Sequence, residues 1–244
     1  MLRSSDYSSC NLERRRWIAF AGIAALGATS WPLRVVAAEE KEREVPAVED
    51  LMREHGILRR ALLVYAEASA RLSRGRGEVP PDALRQTATL FRSFGEDYHE
   101  RSLEEKHVFP PLLKVGGPNA ALAKTLAAQH ERGRQITDYI TAVTRKDRIG
   151  TADVAPLGSA LATFVRMYEH HAAIEDTIVF PAWKELTAQA EYRELSEQFE
   201  ELEHRLFGED GFEDAVKRIA AVEQTFGLAD LSALTAPPPP RSAQ

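Results

Sequence analysis

What most constrains this chain is a phrase that it uses twice. HERSLEEKHVFP begins at His99 and returns in weakened form as HHAAIEDTIVFP at His170. His99, Glu104 and Phe109 thereby pair with His170, Glu175 and Phe180 at a constant separation of 71 positions. Helical residues three to five apart project from neighbouring parts of one face. Each phrase therefore aims an imidazole and a carboxylate at one point. Two such helices facing each other supply two nitrogens and two oxygens, a mixture that iron, manganese and zinc accept.

The first 38 residues read as an export signal rather than as part of the fold. Arg14, Arg15 and Arg16 precede an apolar run from Trp17 to Leu26, and Val36-Ala37-Ala38 offers small residues for cleavage after Ala38. That run is short against the roughly 20 apolar residues of a membrane span. Adjacent arginines before Trp17 and Ile18 resemble a twin-arginine signal, which exports folded proteins; an ordinary secretory signal and a retained anchor are the alternatives. The mature chain is expected to be exported, to the periplasm. Cys10 is the only cysteine and leaves with the signal, so any metal is held by nitrogen and oxygen. The segment carries five basic and two acidic residues, and its loss takes the formal charge from −6 to −9. An acidic chain without a basic run argues against nucleic acid, and against membrane association once the signal is cleaved.

Beyond Pro46 the periodicity is helical almost throughout, with no strand alternation. Four long helices are expected at about 47–74, 82–114, 119–145 and 156–188, and short loops between them predict an all-α, up-down-up-down four-helix bundle over 46–188. Two shorter helices, 191–207 and 212–226, form a C-terminal extension (189–230) that either packs on the bundle or faces a protein partner of unknown kind. A proline-rich tail, 231–244, is expected to be disordered.

The apolar stripes are interrupted by histidines. The first helix has Val48, Leu51, Met52, His55, Leu58, Leu62 and Tyr65; the third has Leu122, Leu126, His130, Gly133 and Ile140; the fourth has Leu157, Leu161, Phe164, Tyr168, His171, Glu175 and Ile178. On the second helix, His99 continues the row Leu84, Ala88, Phe91, Gly95. Glu104 lies five positions further on, about 140° around a regular helix, and needs a locally wound turn before Pro110 to face inward. One histidine on an apolar stripe is usually structural. Four, one per helix and two with acidic partners, point to a metal site of His55, His99, Glu104, His130, His171 and Glu175. The repeat favours His170 over His171, but the inward stripe and the four-residue spacing to Glu175 select His171. His107 and His204 are expected outside the site. Glu100, Glu105 and Asp176 are read as solvated or as supporting groups around the ligands, Tyr65 and Tyr98 as core aromatics, and the two Phe-Pro pairs as anchors that kink or end helices.

These residues together resemble the hemerythrin-like, or HHE cation-binding, family, whose pattern is a histidine on the first helix, His-x3-4-Glu on the second, a histidine on the third and His-x3-4-Glu on the fourth. The matching segments are MREHGILRR, YHERSLEEKHVFP, AAQHERG and HHAAIEDTIVFP, and the resemblance runs from about Val48 to Leu186. It implies a bundle holding two non-haem irons, with manganese or zinc ranking behind, the carboxylates bridging the metals and the histidines capping them. One position departs: where oxygen carriers of the family have a second histidine one turn after the one on the third helix, this chain has Arg134. Four histidines for two metals leave a coordination position open. The resemblance thus implies a di-iron protein that binds or senses dioxygen, nitric oxide or peroxide, with Arg134 favouring anionic ligands. A peroxide-consuming oxidoreductase and an iron-storage or metal-buffering bundle stand as the alternatives.

Overall fold

The computed structural model describes residues 45–75, 78–208 and 211–240. The export-signal expectation, with Cys10, Arg14 to Arg16 and the cleavage site, lies outside these residues. Among the described residues every regular element is a helix, and none is long and apolar enough to cross a membrane.

Four long rods build the bundle. The first is α1 (Ala47–Arg74). The second runs without a break through α2 (Pro81–Leu90), a wide helix π1 (Phe91–Val108) and α3 (Phe109–Val115). The third is α4 (Gly117–Val143), and the fourth is α5 (Thr151–Ile174), a wide turn π2 (Glu175–Val179) and α6 (Phe180–Leu186). In π1 and π2 the backbone bonds reach five residues back: the Phe109 amide donates to the Glu104 carbonyl, and the Phe180 amide to the Glu175 carbonyl. The following prolines give a reason. A proline ring collides with the carbonyl four residues earlier and donates no hydrogen bond, and widening the turn relieves both faults. Gly116 and Gly117, at φ 81° and 75°, turn the chain between α3 and α4 in a region other residues rarely enter.

Expected helix limits hold to within two residues except at α5, which begins at Thr151 rather than near 156. Pro156 sits inside it, tolerated because the carbonyl it leaves unbonded belongs to exposed Ala152 in the first turn. Two stripe members are also corrected. Met52 is 38% exposed, and Glu54 is buried in its place; Ile178 is 40% exposed, because the wide turn at π2 rotates Val179 inward instead.

Below the histidines the core is aromatic. Phe164 meets Tyr65 edge-on at 5.4 Å and Phe91 at 5.0 Å, and Phe91 meets Tyr168 at 5.0 Å. Such pairs add about 0.5–1.5 kcal/mol each beyond their buried area and make a stiff floor for the site.

The C-terminal helices α7 (Gln189–Phe207) and α8 (Gly211–Phe226) pack on the bundle. Ser196 Oγ and the Tyr192 hydroxyl accept the Ala47 and Val48 amides at 3.0 and 2.9 Å, so α7 supplies the N-terminal cap that α1 lacks in its own sequence. Phe199 stacks on Trp183, and Arg60 forks onto Glu223 of α8. Pro237 to Pro240 are exposed and without regular structure.

Candidate metal centre

The structure brings His55, His99, Glu104, His130, His171 and Glu175 to one point, each no more than 3% exposed. They divide into two half-sites. His55 Nε2 and His99 Nε2 lie 3.0 Å apart, as do His130 Nε2 and His171 Nε2. Glu104 spans them, Oε1 at 3.3 Å from His99 and Oε2 at 3.3 Å from His130. Glu175 spans them too, Oε2 at 3.4 Å from His55 and Oε1 at 3.0 Å from His171. All four carboxylate oxygens are buried and find no hydrogen-bond partner among the described residues. Burying two carboxylates this way costs several kcal/mol per ion unless a charge compensates them.

Glu104 reaches the centre through the wide helix. With bonds reaching five residues back, a residue five positions on returns close to the same face, so the His99 to Glu104 spacing becomes an inward pair. The spacing of His171 to Glu175 is four and needs only the ordinary helix of α5. His170 is exposed and bonds to the Arg166 carbonyl. His107 is half-buried against Phe199, and His204 is exposed. The phenylalanines of the two phrases cover the histidines: Phe109 stacks on His130 and Phe180 on His55, each at 5.5 Å.

Each histidine is turned by a bond at Nδ1, and the partners form a closed ring around the bundle. Glu54 on α1 holds His99 of π1, and Glu105 on π1 holds His130 of α4 at 2.9 Å. Gln129 on α4 holds His171 of α5 at 2.9 Å, and Asp176 on π2 holds His55 of α1 at 2.7 Å. Such partners fix the ring orientation and strengthen a metal ligand. Sequence reasoning missed Glu54 and Gln129, although a signal was present: every orienting residue is the immediate sequence neighbour of a candidate ligand and serves a histidine on the next helix.

The electrostatics follow from this geometry. Burial pulls the His99 and His130 pKa values down, yet surrounding carboxylates prevail: Glu104 and Glu54 raise His99 well above its usual value, and Glu100, Glu104 and Glu105 push His130 up to about 10. Burial would raise Glu104, but His99 and His130 hold it well below the ordinary carboxylate range. A cation taken up here would compete with the protons that these raised histidine pKa values favour, so uptake would release protons.

Beside the centre lies a cavity of about 10 Å³ lined by His55, His99 and His171 with Leu58, Arg59, Leu62, Glu100, Tyr168 and Ala172, room for about one water-sized molecule. Glu100, expected to be solvated or supporting, is 1% exposed and accepts a 2.7 Å bond from the Tyr168 hydroxyl. Gly133 makes space for that hydroxyl: a Cβ there would fall 2.0 Å from it. Arg134 departs from expectation. Its guanidinium bonds Glu100 at 3.2 Å, Glu105 at 3.0 Å and Glu131 at 3.4 Å, and it does not line the cavity. Its charge is spent on carboxylates instead of facing a ligand.

Four helices converging buried histidines and carboxylates define a helical metal-binding bundle. Residues 47–183 match the hemerythrin HHE cation-binding domain, and the chain belongs to that family. It is similar, at 41% identity over 228 residues covering 88% of this chain and 86% of theirs, to the uncharacterized proteins Mb2018 of Mycobacterium bovis and Rv1995 of Mycobacterium tuberculosis. No solved structure matches.

Proposed function

We propose that the bundle, in up-down-up-down order, holds two iron ions and presents them to a small ligand of the class of dioxygen, nitric oxide or peroxide. The observation that carries this reading is the set of four orphaned oxygens of Glu104 and Glu175, each turned toward the Nε2 of a different histidine. His55 and His99 would hold one ion and His130 and His171 the other, with both carboxylates shared. Nitrogen and oxygen donors in these proportions suit iron ahead of softer metals. Bound iron would supply an open coordination position and one-electron chemistry.

The chain's own residues define what can reach that position. Leu58, Leu62 and Ala172 give the cavity an apolar wall beside Arg59, and space on the scale of one water suits a ligand of very few atoms and excludes an organic substrate. The Tyr168 hydroxyl can turn from Glu100 to donate a hydrogen bond to an anionic ligand, while Arg134 holds Glu100 in place from behind. That polar wall favours peroxide-level ligands, so a peroxide-consuming oxidoreductase is the second reading. Full burial of all six ligands weighs against a bundle that exchanges metal freely for storage.

Purified, iron-replete protein should contain about two irons per chain, as dinuclear helical bundles do. Optical spectra of its reduced form should change on adding oxygen, nitric oxide or peroxide. Well under one metal per chain would sink the reading, and spectra blind to all three ligands would leave a storage bundle. We also propose export of the folded chain through the arginine-bearing leader. Replacing Arg14, Arg15 and Arg16 with lysine should leave an uncleaved precursor in the cytoplasm, and normal export of that variant would point to the general secretory route.

A further inference from the structure

The cavity beside the centre has one wall that reaches solvent. Of the residues lining it, those other than Arg59 come from α1, π1 and α5 and are no more than 6% exposed. Arg59, on α1, has a side chain that is 43% exposed. A close-packed interior leaves no passage through the buried walls. The way in from water therefore runs beside the Arg59 guanidinium.

That guanidinium is held from the opposite rod. Its Nη2 donates to Asp176 Oδ2 on π2, and the other oxygen of Asp176 holds His55 Nδ1 at 2.7 Å. Arg59 makes no other hydrogen bond among the described residues, so most of the five N–H donors of a guanidinium remain for a ligand. Arg134, by contrast, bonds three carboxylates and lies off the cavity, whereas Arg59 has a share of one carboxylate and lines it. No other arginine or lysine lines the cavity. On a chain of formal charge −6, which repels anions at large, a fixed cation at the entrance decides which small ligands approach.

We propose that ligands reach the centre past Arg59, between α1 and α5, and that this guanidinium makes the entrance selective for small inorganic anions. The inference rests on the dinuclear reading above and narrows its ligand class to ions of very few atoms, such as azide, nitrite or deprotonated peroxide. An anion is drawn to the mouth by the guanidinium, passes Leu58 and Leu62, and then meets the Tyr168 hydroxyl. A neutral diatomic gains nothing from the charge. Arg59 acts on entry alone, since the six candidate ligands are buried behind it and Asp176 can hold His55 without it.

The test uses the iron-loaded protein and two probes followed by stopped-flow absorbance, azide as the anion with the oxidised form and nitric oxide as the neutral molecule with the reduced form. Arg59→Gln should slow azide association by about tenfold or more and leave nitric oxide within about twofold. Arg59→Lys keeps the charge and should hold the azide rate within about threefold of wild type. Added salt should slow azide association in wild type, because it screens the local attraction, and should speed it in Arg59→Gln, where repulsion by the acidic chain is what remains to be screened. Iron content should be the same in all three proteins. An azide rate unchanged in Arg59→Gln, equal slowing of both probes, or an Arg59→Lys variant as slow as Arg59→Gln overturns the proposal. Should Arg59→Gln fail to fold, the wild-type salt dependence still decides, since an azide rate that rises with salt overturns it. Iron-loaded wild type blind to both probes would end the dinuclear reading and this one with it, whereas wild type that binds both, matched by every variant, overturns the entrance alone.

Discussion

The two halves of the sequence repeat reach the same end by different backbones. In the second phrase His171 and Glu175 are four apart, α5 delivers both on one ordinary face, and the wide turn begins only at the glutamate. In the first phrase His99 and Glu104 are five apart, the turn between them must be wide for the carboxylate to arrive, and the wide winding extends over all of π1. One residue of extra spacing thus converts a local relief at proline into a long departure from α-helical winding. The centre's near symmetry hides an unequal dependence on strain, because wide helices are stable mainly where tertiary contacts hold them.

The largest expected effect tests whether the two carboxylates are equal partners despite that inequality. Glu104→Gln and Glu175→Gln should each lower metal affinity by ~100-fold or more, since losing even an orienting partner costs about 10–100-fold. Elemental analysis after dialysis reads the result, and retention of metal by either variant would break the bridged arrangement. Next, within the second phrase, His171→Ala should lose most of the metal. His170→Ala should keep it and shift stability by no more than about 0.5 kcal/mol, as exposed substitutions do. The reverse would mean that the repeat register outranks the helix face.

The prolines sharpen the contrast directly. Replacing Pro110 and Pro111 together with alanine restores both donors and lets α-helical winding propagate back toward Glu104, so metal affinity should fall by about tenfold. Pro181→Ala should have a smaller effect, because His171 and Glu175 already share an α-helical face. Equal losses in the two variants would show that the wide turn matters for something other than spacing.

A smaller effect concerns pH. In the metal-free chain His130 has its pKa pushed up from 6.5 to about 10, so folding binds its proton more tightly than the unfolded chain does. The resulting stability is complete below pH 6.5, fades as pH rises and is gone once pH passes about 10. Thermal midpoints of the metal-free protein should fall between pH 7 and 10, at about 2–4 °C per kcal/mol for a chain of this size. The iron-loaded protein, whose imidazole nitrogen carries metal in place of the proton, should lack this decline; an equal decline would show that the proton is not what metal displaces.

Much of this was legible beforehand because it rests on periodicity. The helices, the aromatic floor and the inward positions of His55, His99, His130, His171 and Glu175 all follow from the spacing of apolar residues along regular helices. What escaped depends on partners distant in sequence or on irregular winding. Glu54 looks like a surface acid beside Met52 until the folded bundle brings His99 onto its carboxylate, and it is Glu54 that is buried. Ile178 was misplaced because a stripe extrapolated at α-helical pitch fails within π2. Arg134 was read from one position against a family pattern; only packing reveals that Glu100, Glu105 and Glu131 claim its charge first.

The ring of orienting residues bears on assembly. Glu54, Glu105, Gln129 and Asp176 each serve a histidine on another helix, and the chain of dependence closes on itself. No helix can therefore present a correctly turned imidazole by itself, no neighbouring pair turns both of its histidines, and a helix docked in the wrong order would misalign two of them at once. Metal held at the centre as proposed would therefore report that all four helices have found their neighbours. Under the export route proposed above, that would give the cytoplasm a chemical criterion for completion before release.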